Sequence, residues 1–405
     1  MKQERKFPAV TVTRKAENSI RQGHPWVYRE EFTAVSGEPE QGGVCDVFSQ
    51  KGAWLGAGFY SAASKIGLRI LSDNANEDFS PAFFERRVKY ALEYRRAVMD
   101  SLGCCRLVFG EADGLPGLTV DKFSDILVAQ CLCGGMDGVK DTVYRALAQQ
   151  LEAVGERVSG LYERNEAALR SLEGLPRYKG WYEGLPHPES TKTEIVENGL
   201  RYAVDFENGQ KTGFFLDQKY NRRAVAKLAR GRRVLDCFTH TGSFALNCAL
   251  GGAEHVTAVD VSEAAVGLAR ENAVLNGLEG KMDFLAEDVF ELLPRLCEER
   301  AQYDLVILDP PAFTKSRRTV RAAESGYREI NYRAMRLLPR GGYLATCSCS
   351  HFMESENFEY MLKKAAKDAN VRLREVEVRK QAPDHPILWN VPETSYLKFY
   401  IFQIV

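Results

Sequence analysis

Apolar and polar positions follow three different rhythms along this chain. Up to about residue 72, short alternating apolar runs at 9–13, 43–48, 54–60 and 67–71 are punctuated by glycines. That spacing predicts a small barrel of short strands, domain 1–72. The polar stretch 72–78 reads as a linker, and Pro81 opens a helix running to about residue 99. Between 79 and 195, helices at 83–100 and 136–154 mix with strand-like runs at 106–109, 118–122, 126–131 and 160–163, predicting a compact α+β domain. Its turn-rich loop, Gly110-Glu111-Ala112-Asp113-Gly114-Leu115-Pro116-Gly117, carries no chemistry that the sequence alone reveals.

From 196 to 405 the rhythm becomes regular alternation. Strands at 234–237, 255–259, 282–285, 304–308 and 342–347 are interleaved with helices at 243–250, 263–276 and 327–338. Such alternation predicts a parallel sheet with helices on both faces, a Rossmann-like α/β domain. Two late runs, 371–378 and 396–405, are expected as an antiparallel pair at one edge, the layout of a methyltransferase sheet. The whole is read as a multidomain protein.

Composition narrows the class. Apolar residues make up 45% and charged residues 27%, an ordinary globular balance. Apolar runs such as 304–308 fall far short of the roughly 20 residues of a membrane helix, so no membrane association is expected. The charged opening Met1-Lys2-Gln3-Glu4-Arg5-Lys6 has no apolar stretch behind it, and a cytoplasmic protein is expected. Ten cysteines lie scattered without a CxxC pair, so neither a disulfide framework nor a metal site is expected. Net charge is −1, although residues 1–70 hold ten Lys and Arg against seven Asp and Glu. That is a weak pointer toward nucleic acid.

In open α/β sheets, ligands bind beyond the carboxyl ends of the strands. After the first strand of the alternating region comes Asp236-Cys237-Phe238-Thr239-His240-Thr241-Gly242. Thr241 and Gly242 permit a tight turn and close backbone approach, and the following helix start suits a carboxylate. Asp260 follows the second strand, placed for ribose hydroxyls. Asp288, with Val289 beside it, follows the third, placed for an adenine amino group. Each aspartate alone could equally be a helix cap. Their ordered series points to S-adenosylmethionine, and the absence of a GxGxxG fingerprint disfavours a dinucleotide.

The fourth strand ends in Asp309-Pro310-Pro311-Ala312-Phe313, similar to the Asn/Asp-Pro-Pro-aromatic motif of class I methyltransferases acting on nucleobases. Asp309 can bind a base edge and Phe313 can stack on a ring; a rigid loop with a core Phe is the plainer alternative. The fifth strand carries Cys347-Ser348-Cys349-Ser350-His351. A thiolate adding to cytosine C6 would make C5 nucleophilic toward a methyl donor, with Asp309 holding a proton at N3. Otherwise both cysteines are small buried hydrophobes. Strand alternation puts Cys347 and Cys349 on one side if the strand stays regular.

At these residues the chain resembles the 23S ribosomal RNA large-subunit methyltransferase I family. The matching motifs are Gly23-His24-Pro25-Trp26-Val27-Tyr28, the 110–117 loop, Lys211-Thr212-Gly213-Phe214-Phe215-Leu216-Asp217-Gln218, Asp309-Pro310-Pro311 with Phe313, Ser348-Cys349-Ser350 and Ala382-Pro383-Asp384-His385-Pro386. The resemblance covers nearly the whole chain. It implies an N-terminal PUA domain, a central α+β domain and a C-terminal class I methyltransferase domain forming 5-methylcytosine in 23S rRNA. It places the nucleophile at Cys349, adds Phe214, Gln218, Phe238 and Ser262 to Asp236, Thr241, Gly242, Asp260, Asp288 and Val289 around the cofactor, and gives Arg21 and His24 to RNA. Trp26 reads equally well as a plug in the barrel core. His351, where the family continues with Gly, could depress the Cys349 pKa, and capping the next helix is the favoured reading. A homodimer is a candidate assembly. Guanine-N7 methylation of rRNA and non-catalytic RNA binding are the alternatives. The barrel and the Asp-Pro-Pro loop argue against a small-molecule or protein methyltransferase.

Overall fold

The computed structural model describes residues 7–314 and 316–405; the charged opening at 1–6 lies outside them. The chain divides into two compact units. The first comprises residues 7–195 together with Val204–Leu216 and Pro383–Thr394. The second comprises Val196–Ala203, Asp217–Ala382 and Ser395–Val405.

In the first unit, a six-stranded sheet has the spatial order Trp26–Tyr28, Ile66–Ser72, Trp54–Tyr60, Val44–Ser49, Ala9–Val12, Phe32–Ser36. Helix Arg14–Arg21, capped by the Thr13 hydroxyl, packs Ala16 and Ile20 into its core beside Val10, Val12, Val27, Cys45, Val47 and Leu68. Sequence rhythm located four of these strands and missed Trp26–Tyr28 and Phe32–Ser36. The first of these has only three residues and follows Pro25, and the second is largely exposed, so neither shows clear alternation. Trp26 is not the core plug. Val27 takes that place, and the Trp26 indole donates to Glu111 Oε1 at 2.9 Å.

A second sheet in this unit orders Tyr178–Trp181, Gly160–Asn165, Ile126–Cys131, Leu118–Phe123 and Cys104–Phe109, with helices Pro81–Val98 and Gly134–Ala153. Its buried charges are paired, as desolvation requires. Arg95, wholly buried, forks onto Asp113 of the 110–117 loop, whose Oδ2 also accepts from the Phe109 amide at 2.6 Å. Arg106 binds Asp121 through two 2.7 Å bonds, and Asp121 also accepts from the Thr212 hydroxyl. Asp384, wholly buried, accepts from the Arg106 amide at 2.9 Å and bonds His385 at 2.8 Å. Three of the family-like motifs are thus brackets of this unit. Phe59 stacks on Phe84, and Arg69 pairs with Glu173 at 2.8 Å, so the barrel and the α+β module share one interior.

The second unit is built on a seven-stranded sheet. Its strands are β1 (Arg233–Cys237), β2 (His255–Asp260), β3 (Met282–Ala286), β4 (Leu305–Leu308), β5 (Tyr343–Ser348), β6 (Leu373–Arg379) and β7 (Lys398–Ile404), in the order 3-2-1-4-5-7-6. β1 to β5 are parallel, while β7 runs antiparallel between β5 and β6. Near-continuous apolar strands such as Leu305–Leu308 are what a sheet covered on both faces demands. The expected parallel sheet with its antiparallel edge pair is therefore present. Among the described residues, no helix is long and apolar enough to cross a membrane.

Candidate functional site

The carboxyl ends of β1, β2, β4 and β5 gather most of the expected residues of this unit. The loop after β1 is conformationally strained: Phe238 and His240 hold φ of 64° and 50°, and Gly242 holds 77°. Only the last is free of side-chain penalty, and a Cβ there would lie 2.9 Å from Ala269 Cβ. Neighbours hold the loop in place. Asn272, wholly buried, donates to the Thr241 carbonyl at 3.0 Å, and Asp260 Oδ2 accepts from the His240 amide at 2.9 Å. The other Asp260 oxygen accepts from Ser262 N at 3.0 Å.

Asp236 lies beneath this loop, 1% exposed, accepting from the Thr239 hydroxyl at 2.6 Å and the Ala245 amide at 3.0 Å through Oδ2. Its Oδ1 is buried without a hydrogen-bond partner among the described residues. Burial pushes its pKa up to about 7. An orphaned buried carboxylate oxygen fits the ammonium end of S-adenosylmethionine. The tight Gly242 turn ahead of helix Ser243–Leu250 fits the carboxylate end.

Ser262 caps helix Glu263–Leu275 through Ala265 N, and Asp288 caps helix Val289–Glu298 through Phe290 N at 2.8 Å. The plain cap reading therefore holds for Asp288, although an exposed carboxylate retains further acceptor capacity. The Val289 side chain is packed in the core. Gln218, placed at the cofactor by resemblance, donates to Asp309 Oδ1 at 3.0 Å and to Cys347 Sγ at 3.5 Å. Phe214 is buried in the first unit.

On the catalytic side, Asp309 follows β4 directly. Burial raises its pKa, opposed by the Cys347 thiol that donates to Oδ1 at 2.9 Å. Phe313 is half-buried among Tyr327, Phe290 and Phe238, with ring centroids 4.5, 5.8 and 6.4 Å away. Cys347 is wholly buried and its pKa is pushed well up. Cys349 is partly exposed, its Sγ 3.9 Å from the Pro310 carbonyl. The regular strand stops at Ser348, so alternation does not extend to Cys349. His351 does not cap the next helix. It is exposed in a turn, and Glu354 occupies the N-cap of Ser355–Asp368.

In the first unit, Arg21 is exposed and paired with Glu17 at 3.0 Å, while His24 Nε2 contacts Glu393 at 3.2 Å. Sequence reasoning missed Tyr327 and Lys398, which border the Ser348-Cys349-Ser350 turn. The available signal for Lys398 was a lysine interrupting an apolar strand, Leu397-Lys398-Phe399-Tyr400-Ile401.

A family model described as S-adenosylmethionine-dependent methyltransferase matches residues 177–403, and one described as a PUA-like domain matches 10–73. Ribosomal RNA large subunit methyltransferase I of Klebsiella pneumoniae strain 342 is 35% identical over 98% of this chain and 99% of its own. The protein of that name from Aeromonas hydrophila is 40% identical over 94% and 96%. A solved Streptococcus mutans structure, assigned to SAM-dependent methyltransferases, covers 98% of this chain and 99% of its own at 20% identity, with a TM-score of 0.82. A second crystal structure, assigned to methyltransferases and complexed with SAH, overlays with a TM-score of 0.83 at 20% identity, over 98% and 99%. Those two likenesses speak to the fold. By family model and near-full-length relatives, the chain belongs to the ribosomal RNA large subunit methyltransferase I family, S-adenosylmethionine-dependent methyltransferases with a PUA-like domain at the N-terminal end.

Proposed function

We propose that this protein methylates C5 of a cytosine in 23S ribosomal RNA through a covalent adduct at Cys349. The observation that carries the reading is the partly exposed Cys349 sulfur lying on the Asp-Pro-Pro turn, 3.9 Å from the Pro310 carbonyl, beside an Asp309 whose burial favours its protonated form. The names of the relatives supply the ribosomal substrate.

Cytosine C5 is a weak nucleophile. The Cys349 thiolate adds to C6 while Asp309 gives its proton to N3, leaving an enamine whose C5 is electron-rich. S-adenosylmethionine, when bound, supplies an electrophilic methyl group. After C5 has taken the methyl, the C5 proton is lost to water and its electron pair re-forms the C5–C6 double bond as the C6–S bond breaks; the thiolate leaves, and Asp309 takes back the N3 proton. Asp236 and Asp260 hold the donor's amino and ribose groups, with Asp288 and the Val289 backbone at its adenine. Phe313 offers a ring face to the target base. Arg21 and His24 contribute RNA contacts from the barrel, and the domain boundaries 1–72, 79–195 and 196–405 remain our division of the sequence.

The test is a 23S rRNA fragment containing 5-fluorocytosine. Fluorine cannot leave C5 as a proton does, so the wild-type protein should be trapped covalently and Cys349→Ala should not. Cys349→Ala should also abolish transfer while keeping cofactor and RNA affinity. Full activity of that variant, with methyl found on guanine N7, would overturn the cytosine reading.

A further inference from the structure

Ser348 and Ser350 flank Cys349, and both are wholly buried. Both hydroxyls meet the Tyr327 phenol, at 3.0 Å and 2.9 Å. On the opposite side, Lys398 Nζ donates to the Ser350 carbonyl at 2.7 Å. Lys398 opens β7 directly across from Ser348 and is 8% exposed. The turn bearing Cys349 is therefore clamped between a phenol on helix Val320–Leu337 and an ammonium on β7.

A buried lysine is a costly way to satisfy one carbonyl. Burial pulls its pKa down to about 8, and the thiols of Cys349 and then Cys347 are the groups that favour its charged form. Tyr327 is pushed up to about 12, Cys347 is held well above its ordinary range, and burial favours the protonated form of Asp309. His351 is exposed in the turn beyond.

We propose that Lys398 is the positioning residue for Cys349, its ammonium fixing the Ser348–Ser350 turn and stabilising the Cys349 thiolate. This rests on the reading of Cys349 as nucleophile. The thiol proton leaves to solvent, which the partly exposed Cys349 can reach, and below about pH 8 the ammonium keeps its charge. When the C6–S bond breaks, the same ammonium receives the departing thiolate, so Lys398 lowers the cost of both ends of the covalent cycle.

The test compares the full-length wild type with Lys398→Met and Lys398→Arg. Iodoacetamide labelling of Cys349 is followed against pH, with the 347 and 349 positions resolved by peptide fragmentation. Lys398→Met should move the labelling midpoint up by about one unit, roughly tenfold less thiolate at pH 7. In methyl transfer it should lower kcat with little change in KM for RNA, activity recovering as pH rises, and Lys398→Arg should retain most of the wild-type profile. Superimposable labelling profiles for wild type and Lys398→Met would overturn the proposal, as would equal loss in Lys398→Met and Lys398→Arg with no shift in midpoint. If Lys398→Met does not fold, Lys398→Gln takes its place with the same readings: an upward midpoint supports the role and a wild-type midpoint overturns it. Should Cys349→Ala retain full transfer, the nucleophile reading falls, and the labelling profile still decides whether Lys398 sets the acidity of Cys349.

Discussion

The Cys347 thiol donates to Asp309 Oδ1 across 2.9 Å, which ties the end of β5 to the end of β4 beneath the Asp-Pro-Pro turn. That bond stabilises the ionised carboxylate and so lowers the Asp309 pKa against the larger, raising effect of burial. Removing it in Cys347→Ala should raise the Asp309 pKa further. If Asp309 must be protonated to assist at N3, the alkaline limb of the pH–rate profile then moves to higher pH. Loss of one hydrogen bond of about 1 kcal/mol should leave turnover at pH 7 within roughly fivefold of wild type. Activity as low as that of Cys349→Ala would give Cys347 the nucleophilic role instead.

Asp236 predicts an opposite sensitivity for the cofactor. With its pKa raised to about 7, the carboxyl is mostly neutral at pH 6 and ionised at pH 8. An ammonium partner prefers the carboxylate, so calorimetric affinity for S-adenosylmethionine should rise by up to about tenfold from pH 6 to pH 8 and flatten above that. The free protein should respond with the other sign. A carboxyl whose folded pKa exceeds its unfolded value stabilises the fold below about pH 4, and that contribution is lost as pH rises through about 7. Asp236→Asn should flatten both dependences; an unchanged affinity profile would remove Asp236 from the cofactor's ammonium.

What the sequence made legible was periodic. The alternation that yields β1 to β5 survives because each strand is covered on both faces and each intervening helix buries one stripe. Asp236, Asp260 and Asp309 could be placed because they stand at or just beyond strand ends. The Lys398–Ser350 and Tyr327–Ser348 bonds were illegible, since each joins residues 48 and 21 positions apart that share no motif. Trp26 could not be decided for a related reason. A Trp inside a short strand looks like core until the partner of its indole, 85 residues away, is known.

Arg69 predicts how tightly the barrel is fused to its neighbour. Its partner Glu173 is 3% exposed, and Arg69→Met would leave that carboxylate buried without its cation. Loss of about 3 to 5 kcal/mol is expected, read as a lower urea midpoint. A change below about 1 kcal/mol would mean that water reaches Glu173 freely. Excision of residues 1–72 would remove Arg69 together with Phe59, which stacks on Phe84, so a truncated chain is a poor probe of RNA binding.

The segment Pro383–Thr394 returns to the first unit after the chain has built most of the second. Arg106 waits for the carboxylate of Asp384, 278 positions downstream, and Arg95 waits for the Asp384 carbonyl, 289 positions downstream. During synthesis, therefore, an N-terminal half that looks like a self-sufficient module emerges with several of its internal bonds unmade, His24 to Glu393 among them, and it completes them only when nearly the whole polypeptide is available. Maturation of the first unit is thereby coupled to full-length translation, and a prematurely terminated chain carries an unfinished first unit as well as an incomplete sheet.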